Sequence, residues 1–196
     1  MRPRSSNHFG RLLSLILAFG IAVAVPSTAA AQFQPWTTVG SAGTLDENGL
    51  KLVTFDGPTA VLTGFLRGGV IIRYNVVAVD DLMAGRGTAI SMLVRYRATP
   101  DTIAVRNADS QVIVKLIEVN LFTGVSTTKL TLDSDQFPAS NAFQTQTVKT
   151  CPSFSVFDFH SNAYYIEALL GRSRPFSGNP AIQAIQVTAT GCEIIS

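Results

Sequence analysis

Cys151–Arg172, CPSFSVFDFHSNAYYIEALLGR, is the stretch whose reading decides the fold. In Tyr164-Tyr165-Ile166-Glu167-Ala168-Leu169-Leu170, residues Tyr164, Ile166, Ala168 and Leu170 recur at a spacing of two, with Tyr165 and Glu167 on the opposite face. That is the side-chain period of a β-strand, in which successive residues point to opposite sides of the sheet. Ser153–Phe159 alternates in the same way, placing Phe157 and Phe159 on one side and Phe154 and Val156 on the other. His160-Ser161-Asn162 interrupts the two runs with residues that favour turns. The stretch therefore predicts two antiparallel strands forming a central hairpin.

Working outward, strand-like segments separated by turn signals recur along the chain. Predicted strands are 50–55, 59–63, 70–79, 88–97, 102–106, 111–120, 126–132, 143–149 and 181–189. They are rich in Val, Ile, Thr and Tyr, which suit a pleated surface. Asp56-Gly57-Pro58, Arg67-Gly68-Gly69 and Thr123-Gly124 mark turns between them. The 111–120 run is apolar on both faces apart from Lys115 and Glu118, so it belongs inside a sheet, whereas the polar 143–149 run suits an edge. No segment beyond residue 31 keeps a helical period, and a parallel sheet would need crossover helices. About ten strands spaced by roughly 8–12 residues predict an all-β, antiparallel β-sandwich of jelly-roll type in one domain, 32–196.

Residues 1–31 read as a secretory signal peptide that would form a helix before removal. Arg2, Arg4 and Arg11 form a basic start. Leu12–Val25 is uncharged and apolar, and Ala29-Ala30-Ala31 supplies the small residues of a cleavage site. The apolar run is too short for a membrane anchor, which needs about 20 residues. The expected location is secreted or periplasmic, with no transmembrane anchor after cleavage. The whole chain has 15 Lys and Arg against 13 Asp and Glu. Three of those arginines leave with the leader, so the remaining chain is nearly neutral. That balance gives no footprint for nucleic acid.

Cys151 and Cys192 are the two cysteines, and an even count in an exported chain predicts a disulfide. The bond is expected to tie the last strand to the hairpin beside it.

The chemistry-bearing residues are few. His160 beside Asp158 can be a general base or a turn residue, and no nucleophile motif accompanies it. Glu118, Asp158 and Glu167 are the strand acids from which a hydrolase pair would have to come. Asp133-Ser134-Asp135 and other loop acids could hold a structural calcium ion but lack EF-hand spacing, and no other cofactor is implied. Trp36 and Tyr165 are the candidate ligand-facing aromatics, since aromatic rings cover the apolar faces of sugars. Arg95 and Arg97 share a strand face, and with Arg172 and Arg174 could form a sparse cationic patch.

The segments SMLVRYRAT, VIVKLIEVNLFTG, FDFHSNAYYIEALLGRS and AIQAIQVTATGC, from Thr88 to Ala189, resemble in strand rhythm the jelly-roll sandwiches of secreted bacterial proteins. Carbohydrate-binding modules are among these. The resemblance implies a non-catalytic structural or binding role toward a glycan or a cell-envelope component. It places no sugar-binding residues, because the aromatic-rich binding loops have no counterpart here. The alternatives are a secreted hydrolase whose acids meet only in space, and an assembly or adhesion subunit.

Overall fold

The computed structural model describes residues 34–63, 67–79, 82, 89–98, 110–151, 157–173 and 178–190. The proposed signal peptide, Cys192, Arg174 and the predicted strand 102–106 lie outside them. Eleven strands form two antiparallel sheets: β1 Trp36–Val39, β2 Thr44–Leu45, β3 Val53–Asp56, β4 Thr59–Leu62, β5 Gly68–Val76, β6 Ala89–Ala98, β7 Ser110–Asn120, β8 Ser126–Asp133, β9 Ser140–Thr150, β10 Asn162–Arg172 and β11 Ala181–Thr190. Sheet A runs β3-β4-β11-β6-β9, with β1 also pairing β11, and sheet B runs β2-β5-β10-β7-β8. From β4 to β11 the chain alternates between the sheets except at the β7–β8 hairpin, which stays in sheet B, and β11 lies between β4 and β6. This is jelly-roll order, and the fold is an all-β sandwich.

Alternation generates the core. Val70, Ile72, Tyr74 and Val76 of β5, Val112, Val114 and Leu116 of β7, and Tyr164, Ile166, Ala168 and Leu170 of β10 are buried from sheet B. Ile90, Met92, Val94 and Tyr96 of β6 meet them from sheet A, with Ile182, Ile185 and Val187 of β11. Each such side chain contributes roughly 1.5–3 kcal/mol by leaving water. Strand β7 is internal and β9 is an edge, as the sequence predicts.

Four expectations are corrected. Strand β10 is not paired with the residues just before it, of which 153–156 lie outside the described ones. Strand β10 pairs β5 through Tyr164–Val76 to Arg172–Gly68 and β7 through Asn162–Asn120 to Arg172–Ser110, so both its edges are filled by distant strands. Phe157 and Asp158 are not in a strand. The predicted alternation survives locally, because Phe157 and Phe159 stack at 5.7 Å and both meet the Tyr164 ring edge-on. Second, the last strand does not lie beside β10: β11 is in sheet A and pairs β1, β4 and β6. Third, Trp36, expected as a ligand-facing aromatic, is not on the surface. It pairs opposite Val187 and is a core residue, 6% exposed.

Arg172, expected in a surface patch, is buried instead. Its Nη2 donates to the Leu62 carbonyl at 3.1 Å and its Nε to the Gly178 carbonyl at 3.2 Å. Burial lowers its pKa, since desolvation disfavours the charged form. The residue ties the end of β10 to β4 across the sandwich. Among the described residues no helix is long and apolar enough to cross a membrane.

Candidate functional site

The outer face of sheet A carries the side chains that alternate with the core. Register sets them in rows. Thr37 of β1 lies opposite Gln186 of β11, which lies opposite Leu93 of β6, which lies opposite Thr147 of β9. The next row is Val39, Ala184, Arg95 and Thr145. A third holds Thr188, Ser91 and Lys149. Between β1, β11 and β6 the surface dips into an open depression of about 540 Å³, lined by Thr37, Val39, Leu93, Ala184 and Gln186 among others. Its lining is mainly apolar with hydroxyl and amide groups around it, the usual chemistry of a small-molecule site.

Beside the depression the bulge in β11 between Ile182 and Ala184 projects Gln183 toward β6. Arg95 Nε donates to Gln183 Oε1 at 2.5 Å and its Nη1 to Thr145 Oγ1 at 3.4 Å. Arg97 Nε donates to the Asn179 carbonyl at 3.3 Å. Both guanidinium carbons lie over the Phe143 ring, at 5.8 Å from its centroid for Arg95 and 5.2 Å for Arg97. These distances fall within the cation–π range. The strands β1, β6, β9 and β11 contain no Asp or Glu.

The acids predicted as catalytic candidates are distributed differently. Glu167 stands on the outer face of sheet B, bridged by Arg73 at 3.5 Å, and Arg73 also reaches Asp46 at 3.1 Å. Glu118 accepts the Tyr164 hydroxyl at 2.8 Å and pairs with Lys129 at 3.0 Å. Burial first, together with Glu118, pushes the Tyr164 phenol up to about 12. Asp158 is exposed and closes its own turn, accepting the His160 and Ser161 amides at 3.0 and 3.3 Å. The Ser161 side-chain hydrogen bond is the main cause of its lowered pKa. His160 is exposed in that turn. The Asp158 amide also donates to the Tyr164 hydroxyl at 2.9 Å, so Glu118 and Asp158 are linked only through a phenol that links the two as acceptor and donor.

Asp133 and Asp135, the calcium candidates, both accept from Gln111 Nε2 at 3.0 Å, and Asp133 also accepts the Asp135 amide. Among the described residues no group of three His, Cys, Asp or Glu side chains is placed to hold a metal ion. Tyr165 lies outside, half-buried between Asn75 and Ile117 on sheet B. Cys151 follows β9, is exposed and carries no free thiol.

Sequence reasoning found Arg95 and Arg97 but missed Phe143, Gln183 and Leu93. The signal for Phe143 was a single aromatic leading the polar run Gln144–Thr147 on an edge strand. Nothing local announced Gln183, because a bulge depends on the neighbouring strands.

No family model matches the chain, and no curated protein matches it. Solved structures that align with the chain include a xylan-binding module, CBM15, with a TM-score of 0.46 at 12% identity, covering 82% of this chain and 99% of that one. A cyclase from Fischerella sp. TAU gives a TM-score of 0.46 at 14% identity, covering 79% and 89%. A family two carbohydrate esterase from Cellvibrio japonicus gives 0.35 at 14% identity, covering 80% of this chain and 34% of that one.

Proposed function

We propose that this is an exported, non-catalytic protein that binds a glycan chain along the outer face of sheet A. The observation that carries the reading is the depression of about 540 Å³ between β1, β11 and β6. Leu93, Val39 and Ala184 offer an apolar floor, and Thr37, Gln186 and Thr147 surround it with hydroxyls and an amide. A sugar ring has the same two-sidedness, with an apolar face and a hydroxyl rim. The rows continue past the depression across β6 and β9, so an extended chain has room to lie across several strands. The non-catalytic part is supported by the acids: each of Glu118, Glu167 and Asp158 is engaged in a structural contact on a different element. Tyr165, on sheet B, plays no part in this face.

The test is affinity electrophoresis and a glycan array with the purified chain, alongside a Leu93→Asp variant that puts a charge on the floor. Retarded migration in at least one polysaccharide, lost in the variant while the melting curve is retained, supports the reading. Absence of binding across the array refutes it.

A second reading, assembly or adhesion, is favoured by one specific feature. The β7–β8 turn presents Leu121, Phe122 and Val125 to solvent at 58%, 78% and 62% exposure. Three large apolar side chains on one turn form a patch of the kind used for contacts.

A further inference from the structure

We propose that Arg95 and Arg97, held over Phe143, form an anion-recognition subsite that directs this face to polysaccharides bearing carboxylate or sulfate groups. The proposal rests on the glycan-binding reading above and narrows its substrate class.

Three observations carry it. Each guanidinium is fixed by neutral acceptors: Arg95 by Gln183 and Thr145, Arg97 by the Asn179 carbonyl. A guanidinium has five N–H donors, so both retain donors after these contacts, and Arg97 keeps both terminal nitrogens unengaged among the described residues. Next, both cations lie over one ring, two residues apart on the same strand face, about 6.6 Å at strand rise. Like charges at that spacing repel, and ring and hydrogen bonds hold them together in advance. Last, among the described residues no carboxylate answers them. The ion pairs among the described residues are Arg73 with Asp46, Arg73 with Glu167, and Lys129 with Glu118. The four strands β1, β6, β9 and β11 hold three cations, Arg95, Arg97 and Lys149, and no acid, whereas the strands of sheet B hold Glu118, Asp133 and Glu167.

An arginine pair preordered in this way, with no counter-ion among the described residues, suits a planar carboxylate or a sulfate, which the guanidinium fork can hold with two parallel hydrogen bonds. Lys149 lies four residues from Thr145 on β9, about 13 Å along the strand, on the same face. A second charge on a repeating chain could meet it there. Nucleic acid is the poorer match, because beyond Lys149 the rest of the face supplies hydroxyls, amides and aliphatic side chains rather than a run of cations or a stacking platform.

The experiment compares binding of the purified chain to polygalacturonate, dextran sulfate, neutral xylan and single-stranded DNA, for wild type, Arg97→Gln and Phe143→Leu. Tighter binding to polygalacturonate or dextran sulfate than to xylan is expected, weakening as salt rises from about 0.01 to about 1 M. The polygalacturonate and dextran sulfate arms decide between carboxylate and sulfate. Arg97→Gln should lose roughly tenfold in affinity for the anionic glycan and none for xylan. Phe143→Leu, which keeps both arginines, should lose less. Melting curves of the variants are expected to match wild type. Equal binding of xylan with no effect of Arg97→Gln overturns this proposal and leaves the glycan-binding reading standing. DNA bound as tightly as the anionic glycans overturns it in favour of a general polyanion surface. Binding to no glycan overturns both readings.

Discussion

The Tyr74 hydroxyl donates a 2.9 Å hydrogen bond to the Gly40 carbonyl, joining the core face of sheet B to the turn that ends β1 of sheet A. Both residues are buried, and burial raises the Tyr74 pKa so that the phenol stays neutral and donating. Tyr74→Phe would leave the Gly40 carbonyl without this partner. The expected loss is about 1–3 kcal/mol in urea unfolding. An unchanged midpoint would mean that another donor or water takes the bond.

Gly40→Ala should be more damaging. A Cβ at that position would sit 2.0 Å from the Ile182 carbonyl oxygen and 2.9 Å from the Ala60 amide nitrogen. Both are backbone atoms, so the turn that follows β1 would have to move off β11 and β4. Destabilisation of about 3 kcal/mol is expected, at the top of the overpacking range. Because β1 borders the depression, glycan affinity should fall with it. A stable Gly40→Ala chain that binds normally would contradict the placement of β1.

Two aspartates predict opposite pH responses. Desolvation, then the Asp133 charge, raises the Asp135 pKa above its ordinary 3.8. A raised folded pKa contributes stability below the unfolded pKa, lost as pH rises through the folded value. Asp135→Asn is therefore expected to raise the melting temperature at neutral pH, with the difference vanishing below about pH 3.8, the ordinary value. Asp158 is the reverse. The Ser161 side chain, then the turn amides, lower its pKa, so its stability is present above 3.8 and lost as pH falls through the folded value. Asp158→Ala should be destabilised at neutral pH and converge with wild type in acid. Melting curves from pH 2 to pH 7, roughly, separate the two signs.

The proposed Cys151–Cys192 bond has a topological rationale in sheet A. Thr150 and Ala189 are both opposite Ile90, from the two sides of β6, so Cys151 and the end of β11 reach the same end of the sheet. A closed loop of about 40 residues corresponds to roughly 3–4 kcal/mol in the chain-entropy model. Cys151→Ser should lower stability by about that amount, and the native protein should resist alkylation until reduced. Labelling of both thiols in native, unreduced protein would exclude the bond.

The β7–β8 turn separates scaffold from contact. Asn120 Oδ1 accepts the Phe122 and Thr123 amides and the Thr123 hydroxyl, at 3.0, 2.9 and 3.1 Å, and Gly124 adopts a φ of +70°. Asn120→Ala is expected to cost about 1–2 kcal/mol, like loss of a cap. Phe122→Ser should change stability by less than about 0.5 kcal/mol, since the ring is exposed. If the patch serves assembly, Phe122→Ser should instead shift the sedimentation distribution toward monomer.

Strand identity was legible in the sequence because the two-residue alternation is local. Tyr164, Ile166, Ala168 and Leu170 had to share a face whatever they paired with, and they line the core. The turns at Thr123-Gly124 and His160-Ser161 were legible for a similar reason, since turn residues act locally. Arg95 and Arg97 were fixed on one face by spacing alone. Strand partners are a different matter, because backbone pairing joins residues far apart and carries no mark on either strand. Hence 153–172 reads as a hairpin, while β10 takes β5 and β7 as neighbours. The same gap hid the core position of Trp36, the burial of Arg172, and the meeting of Phe143 with two arginines nearly fifty residues earlier. Alternation decided which side each side chain faces; only the jelly-roll register decided which side chains meet there.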